Sequence, residues 1–118
     1  MRSIAALLLI AGALVPVAAA TAGPNVAKPL PLTIYVGKHG VAGGPKKFTV
    51  RAGRHVVLVI HAAIGKEVHL HGYDIEKPVR SGTVAVRMPF VAKIKGVFEI
   101  ELHITDSQEI KIGQLTVK

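Results

Sequence analysis

The sequence predicts an all-β domain, a two-sheet sandwich of about seven strands. Three observations carry this. Beyond the first 22 residues no stretch has helical periodicity, and apolar residues recur at the spacing of strands. Glycine, proline and short polar stretches separate these runs at short intervals, the pattern of sandwiches and barrels. One run, Val56-Val57-Leu58-Val59-Ile60, is apolar on both faces, as a strand covered on both sides must be.

Taken in order, the chain opens Met1-Arg2-Ser3 and continues from Ile4 to Val15 almost entirely as Ala, Leu, Ile and Val. Pro16 interrupts that run, and the small residues Ala18-Ala19-Ala20-Thr21-Ala22 follow. A positive start, a short apolar centre and an A-x-A end predict a secretory signal peptide over residues 1–22, with cleavage after Ala20 or Ala22. The apolar run is shorter than the roughly 20 residues of a spanning helix. The expectation is therefore a secreted or periplasmic protein without a transmembrane anchor after cleavage.

Residues 23–31 form a proline-rich tail, expected to be extended and mobile, and residues 32–118 form the domain. Its predicted strands begin with Leu32–Val36, followed by a glycine-rich loop from His39 to Pro45. Lys47–Arg51, His55–His61 and Val68–Tyr73 come next. Asp74 to Gly82 reads as a polar connection, since Pro78 argues against a central strand. Thr83–Met88 is then stopped by Pro89. Val97–His103 alternates most clearly, with Phe98, Ile100 and Leu102 on one side and Glu99, Glu101 and His103 on the other. Ile110–Val117 closes the chain.

Charge and composition exclude several functions. Cleavage after Ala22 takes the 118-residue chain to 96 residues, enough for one small domain, with 14 Lys and Arg against 7 Asp and Glu. The basic residues are scattered and the aromatics are few, namely Tyr35, Phe48, Tyr73, Phe90 and Phe98, so nucleic acid is not the expected partner. Anionic lipid, an envelope polymer or an acidic protein fits better. With no cysteine in the chain, disulfides, thiolate metal sites and thiol catalysis are excluded. Ser3, Ser81 and Ser107 lack the context of a nucleophile elbow. Gly40 to Gly44 lacks the Lys-Ser/Thr of a phosphate loop, so no enzyme is expected.

The residues that invite chemistry are His69 and His71, which an extended chain presents to one side. Around them the sequence resembles a known pattern over about 70 residues, Phe48 to Lys118. The landmarks are Arg51-Ala52-Gly53, Val57-Leu58-Val59-Ile60, Glu67-Val68-His69, Gly96-Val97-Phe98-Glu99-Ile100-Glu101-Leu102 and Gly113-Gln114-Leu115-Thr116-Val117. These are similar to small periplasmic cupredoxin-like domains. The resemblance implies a Greek-key β-sandwich in which the His69 strand runs antiparallel beside the Phe98 strand. It also implies a first histidine ligand at His69. The family's cysteine position falls on Leu102, its second histidine on Ser107-Gln108-Glu109, and its axial methionine at or beside Gly113, so three of its four ligands are lacking. Without the thiolate a blue-copper centre is not expected.

The expectation that remains is a metal site of nitrogen and oxygen ligands. His69, His71 and His103, with Glu101 in support, would bind copper, or zinc less readily, in a monomeric protein. The bland alternative is a metal-free interaction module with these residues on a solvated sheet face. A pH-responsive cluster is a third reading. His61 ranks below His103 as a ligand, and His39 and His55 are expected to be solvated. Tyr73-Asp74 is expected to fix the turn, with Asp74 accepting backbone N–H groups or orienting an imidazole.

Overall fold

The computed structural model describes residues 12–19, 23, 27–80 and 84–118. Part of the leader expected over residues 1–22 and part of the 23–31 tail fall outside the described residues, as do both expected cleavage points. No helix among the described residues is long and apolar enough to cross a membrane.

The domain is all-β with eight strands: β1 (Leu30–Val36), β2 (Lys46–Val50), β3 (His55–Ala62), β4 (Glu67–Leu70), β5 (Ile75–Pro78), β6 (Val86–Val91), β7 (Gly96–Thr105) and β8 (Gln108–Val117). They form two sheets, a three-stranded one in the order β1-β3-β6 and a five-stranded one in the order β2-β8-β7-β4-β5. Leu32, Ile34, Leu58, Ile60 and Met88 of the small sheet share one buried cluster with Val68, Leu70, Ile100, Leu102, Ile112 and Leu115 of the large one. Burying these side chains between two sheets is what makes the pair a sandwich.

Strand alternation sets which side chains enter that core. β3 is the exception, as its composition requires. Val56, Leu58 and Ile60 face inward, while Val57 and Val59 are also buried, at 8% and 7% exposure. Pro31, Arg87 and Pro89 line the same outer surface as Val57.

Three features depart from the sequence reading. β1 begins at Leu30, which pairs with Val56, so Leu30 and Pro31 belong to the sheet. Ile75–Pro78 is an eighth strand, not a polar connection; it pairs with β4 at the sheet edge, where proline's missing N–H costs nothing. Pro89 likewise lies within β6, opposite Val57, and is tolerated because β6 is one of the two edges of the small sheet.

Gly113 shows how tightly the sheets face one another. A Cβ there would lie 2.8 Å from Ile34 Cδ1 of the other sheet, 3.1 Å from Ile100 Cδ1 and 3.2 Å from the Lys46 carbonyl. Gly113→Ala is expected to destabilise the domain by about 1–3 kcal/mol in urea unfolding, the usual cost of overpacking. An unchanged midpoint would mean that the sheets are further apart than described.

Candidate metal centre

Pairing register builds the site. β4 and β7 are antiparallel, with Glu67 opposite His103, Val68 opposite Leu102, His69 opposite Glu101 and Leu70 opposite Ile100. Residues directly opposite share a face. Val68, Leu70, Ile100 and Leu102 are therefore the core set, all with no exposed surface, and Glu67, His69, Glu101 and His103 line the outside. The alternation expected for both strands holds here, and so does their antiparallel pairing.

Two irregularities bracket the key segment of β7. The register with β8 shifts between Ile100 and Glu101 and again between His103 and Thr105. Such bulges bend a strand and re-aim its side chains. On this face His69, Glu101 and His103 each offer a ligand atom, and all three atoms lie within 4.8 Å of one another. Zn–N bonds of about 2.1 Å hold tetrahedral ligands roughly 3.4 Å apart, so side-chain rotations of about an ångström would close the set on one ion.

His71 takes a different position from the one its spacing predicts. β4 ends at Leu70, and His71 begins the turn that returns the chain to β5. Its backbone N–H still donates to the Glu99 carbonyl at 3.0 Å, which keeps it against β7. Its ring lies 4.2 Å from that of His69, centroid to centroid. Its Nε2 donates to Glu101 Oε2 at 2.6 Å. The expected four ligands thus divide into a cluster of three and a histidine attached to it through the carboxylate.

That hydrogen bond holds His71 above its ordinary pKa, with burial opposing, and holds Glu101 below the usual carboxylate range, again against burial. The raised His71 value contributes stability that is fully present below about pH 6.5 and is lost as pH rises through the folded value. The lowered Glu101 value contributes stability present above about pH 4.3 and lost as pH falls through the folded value. The pair thus stabilises most between those limits. Glu101→Gln is expected to bring the His71 titration, followed by NMR, back down toward that of a free histidine. An unmoved curve would show that the bond does not persist in solution.

Two carboxylates that the sequence did not place in the site, Glu109 being expected as a solvated loop residue, complete the arrangement. Glu76 of β5, opposite His69, places Oε1 3.6 Å from His69 Nε2. Glu109 of β8, opposite His103, places Oε2 3.4 Å from His103 Nε2. Both glutamates are more than half exposed, so neither contact contributes much to stability. The Glu109 contact is also poorly aligned, and His103 Nε2 is buried from solvent with no hydrogen-bond partner among the described residues. An orphaned ring nitrogen beside a carboxylate is the donor that a metal ion would satisfy.

Glu109 was within reach of the sequence. Thr105 pairs with Gln108 around Asp106-Ser107, so counting back from that tight turn brings Glu109 near His103. Glu76 carries no local signal, because β5 exists only through its pairing with β4.

The remaining predicted positions lie elsewhere. His61 stacks on Tyr35 in the small sheet, with centroids 4.6 Å apart, and takes no part in the cluster. His39 and His55 are exposed. Tyr73-Asp74 is expected to fix the turn after His71, but the Tyr73 hydroxyl instead bonds the Ile94 backbone in the turn before β7. The Asp74 side chain makes no hydrogen bond among the described residues, and its backbone adopts φ 51°. Leu102 points into the core, on the opposite face from His69. Position 102 and His69 therefore do not converge, and a thiolate there would not join this cluster.

No family model matches the chain, and no curated protein matches it.

Proposed function

We propose that this protein binds a divalent transition metal, Cu(II) before Zn(II), through His69, Glu101 and His103, with His71 positioning the Glu101 carboxylate. The observation that supports this reading is the convergence of three ligand atoms within 4.8 Å on the outer sheet face, one of them on the orphaned His103 ring. Two imidazoles and a carboxylate suit either ion, and Cu(II) is held more tightly by a given set of nitrogen and oxygen donors.

The reading extends to a monomeric, cupredoxin-like Greek-key domain, exported to the periplasm or beyond, that handles copper without a blue-copper centre. It is a binding protein and not an enzyme. Three ligands leave coordination positions open to water or to a donor on another molecule, the arrangement of a site that accepts and releases its ion. The metal-free alternative, a polar sheet face serving interaction alone, predicts the same geometry and no metal affinity.

Calorimetric titration of the native protein with Cu(II) and with Zn(II) separates the two. Binding tighter than that of free imidazole is expected, with one ion per chain. Affinity no better than imidazole would remove the metal reading.

A further inference from the structure

One end of the sandwich gathers cations around an exposed apolar turn. The turn Arg51–Arg54 and the turn that precedes β7 are tied together by hydrogen bonds from Gly53 N–H to the Ala92 carbonyl and from Ala92 N–H to the Arg54 carbonyl, at 2.8 and 2.9 Å. Ala52 N–H donates to a main-chain oxygen of Lys118 at 2.8 Å, bringing the residue after β8 alongside. Arg51, Lys95 and Lys118 consequently line one groove with Thr49. Arg54 and Lys93 flank it in sequence.

None of these five cations takes part in an ion pair among the described residues. The chain's five glutamates, Glu67, Glu76, Glu99, Glu101 and Glu109, are all in β4, β5, β7 and β8. The nearest of them along β7, Glu99, is neutralised by Lys111 at 3.0 Å. The side chains of these five cations are therefore not paired with a carboxylate among the described residues.

Between the lysines of Lys93-Ile94-Lys95-Gly96-Val97 stand two apolar side chains turned to solvent. Ile94 is 48% exposed and Val97 60%. The turn is also fixed in shape. The Tyr73 hydroxyl donates to the Ile94 carbonyl at 2.9 Å and accepts from the Ile94 N–H at 3.0 Å, and the Tyr73 ring packs on Phe90 and Phe98. Both backbone groups of Ile94 are thus satisfied from within, which lowers the cost of placing that residue in an apolar medium.

We infer that this end of the domain docks on an anionic lipid bilayer, with Ile94 and Val97 entering the headgroup–acyl boundary and Arg51, Arg54, Lys93, Lys95 and Lys118 meeting lipid phosphates. Apolar side chains among fixed cations match an interface that is apolar within and negative outside. A soluble acidic protein or polymer would use the cations and leave Ile94 and Val97 idle. The inference does not depend on the metal site.

The test exploits the absence of cysteine. Val97→Cys and, as a control at the far end of the small sheet, Tyr35→Cys are each labelled in the full chain with an environment-sensitive fluorophore. They are mixed with phosphatidylcholine vesicles, with and without phosphatidylglycerol, in chelator. The position-97 probe is expected to shift to the blue and to be quenched by lipid-borne quencher only on the anionic vesicles, while the position-35 probe stays unchanged. Lys93→Gln with Lys95→Gln is expected to weaken that response roughly 30-fold, about fivefold per lysine. No shift at position 97, an equal shift on uncharged vesicles, an equal response at position 35, or no loss on removing the two lysines would overturn the inference. So would an equal spectral shift on soluble polyglutamate, which would assign this end to acidic polymers.

Discussion

His69→Ala and His103→Ala are each expected to weaken Cu(II) and Zn(II) binding by at least about 100-fold. Losing a direct ligand should exceed the 10–100-fold typical of losing a residue that only orients one. His71→Ala is expected to fall within that lower range, because His71 reaches the cluster through Glu101 Oε2 at 2.6 Å. His61→Ala should leave affinity unchanged, since that ring is occupied with Tyr35 in the other sheet. The order of these losses matters more than any single value. Equal losses at His61 and His69 would point to scattered surface histidines. A loss at His71 as large as at His103 would promote it to a direct ligand and displace Glu101. None of the substituted side chains belongs to the buried core, so the folded state should survive each change.

The largest effects on stability are expected directly beneath the site. Leu102 has no exposed surface, and its side chain occupies the space beside Gly65. Leu102→Ala is expected to cost about 2–5 kcal/mol, the lost burial plus the cavity left behind. Gly65→Ala should destabilise for two reasons. Its added Cβ would sit 2.6 Å from Leu102 Cδ1 and 2.8 Å from Leu102 Cγ, and Gly65 has φ +99°, which a residue with a Cβ adopts only under strain. A cost of about 2–3 kcal/mol or more follows from overpacking combined with that strain. The informative measurement is the double variant. Removing the Leu102 branch makes room for the new methyl, so urea unfolding should show a combined cost smaller than the sum of the two. The strain at Gly65 remains, and the double variant should still be less stable than Leu102→Ala. Strict additivity would show that the two residues do not touch.

Much of this architecture was legible in the residues themselves, for a local reason. A strand's side chains alternate, so Val68 and Leu70 had to oppose His69, just as Ile100 and Leu102 had to oppose Glu101 and His103. Apolar residues on both faces of β3 likewise announced its central position. What the sequence did not disclose is set by partners. β5 is a strand because β4 offers it an edge, and Pro78 and Pro89 are tolerated because their strands are edges. Glu76 reaches His69 only through the β4–β5 register. The turn at His71 is similarly a matter of packing. Gly72, with φ +79°, passes so close to the Phe98 ring that any Cβ would collide with it. β4 ends at Leu70, just before this close approach, and His71 stands in the turn as a support for Glu101 and not as the expected ligand.

The pairing of β2 with β8 has a consequence in time. β2 has no other partner in its sheet, and its residues lie beside the end of the chain, Lys46 against Gly113 and Val50 against Val117. The five-stranded sheet cannot close until the final ten residues are available. Parallel contacts between such distant segments make loop closure costly before any of it is rewarded, and domains of this kind fold in milliseconds to seconds. A nascent chain cannot complete this sheet until β8 has emerged. Under the proposed export, that delay would keep the polypeptide threadable through a narrow translocation channel and defer folding to the far side.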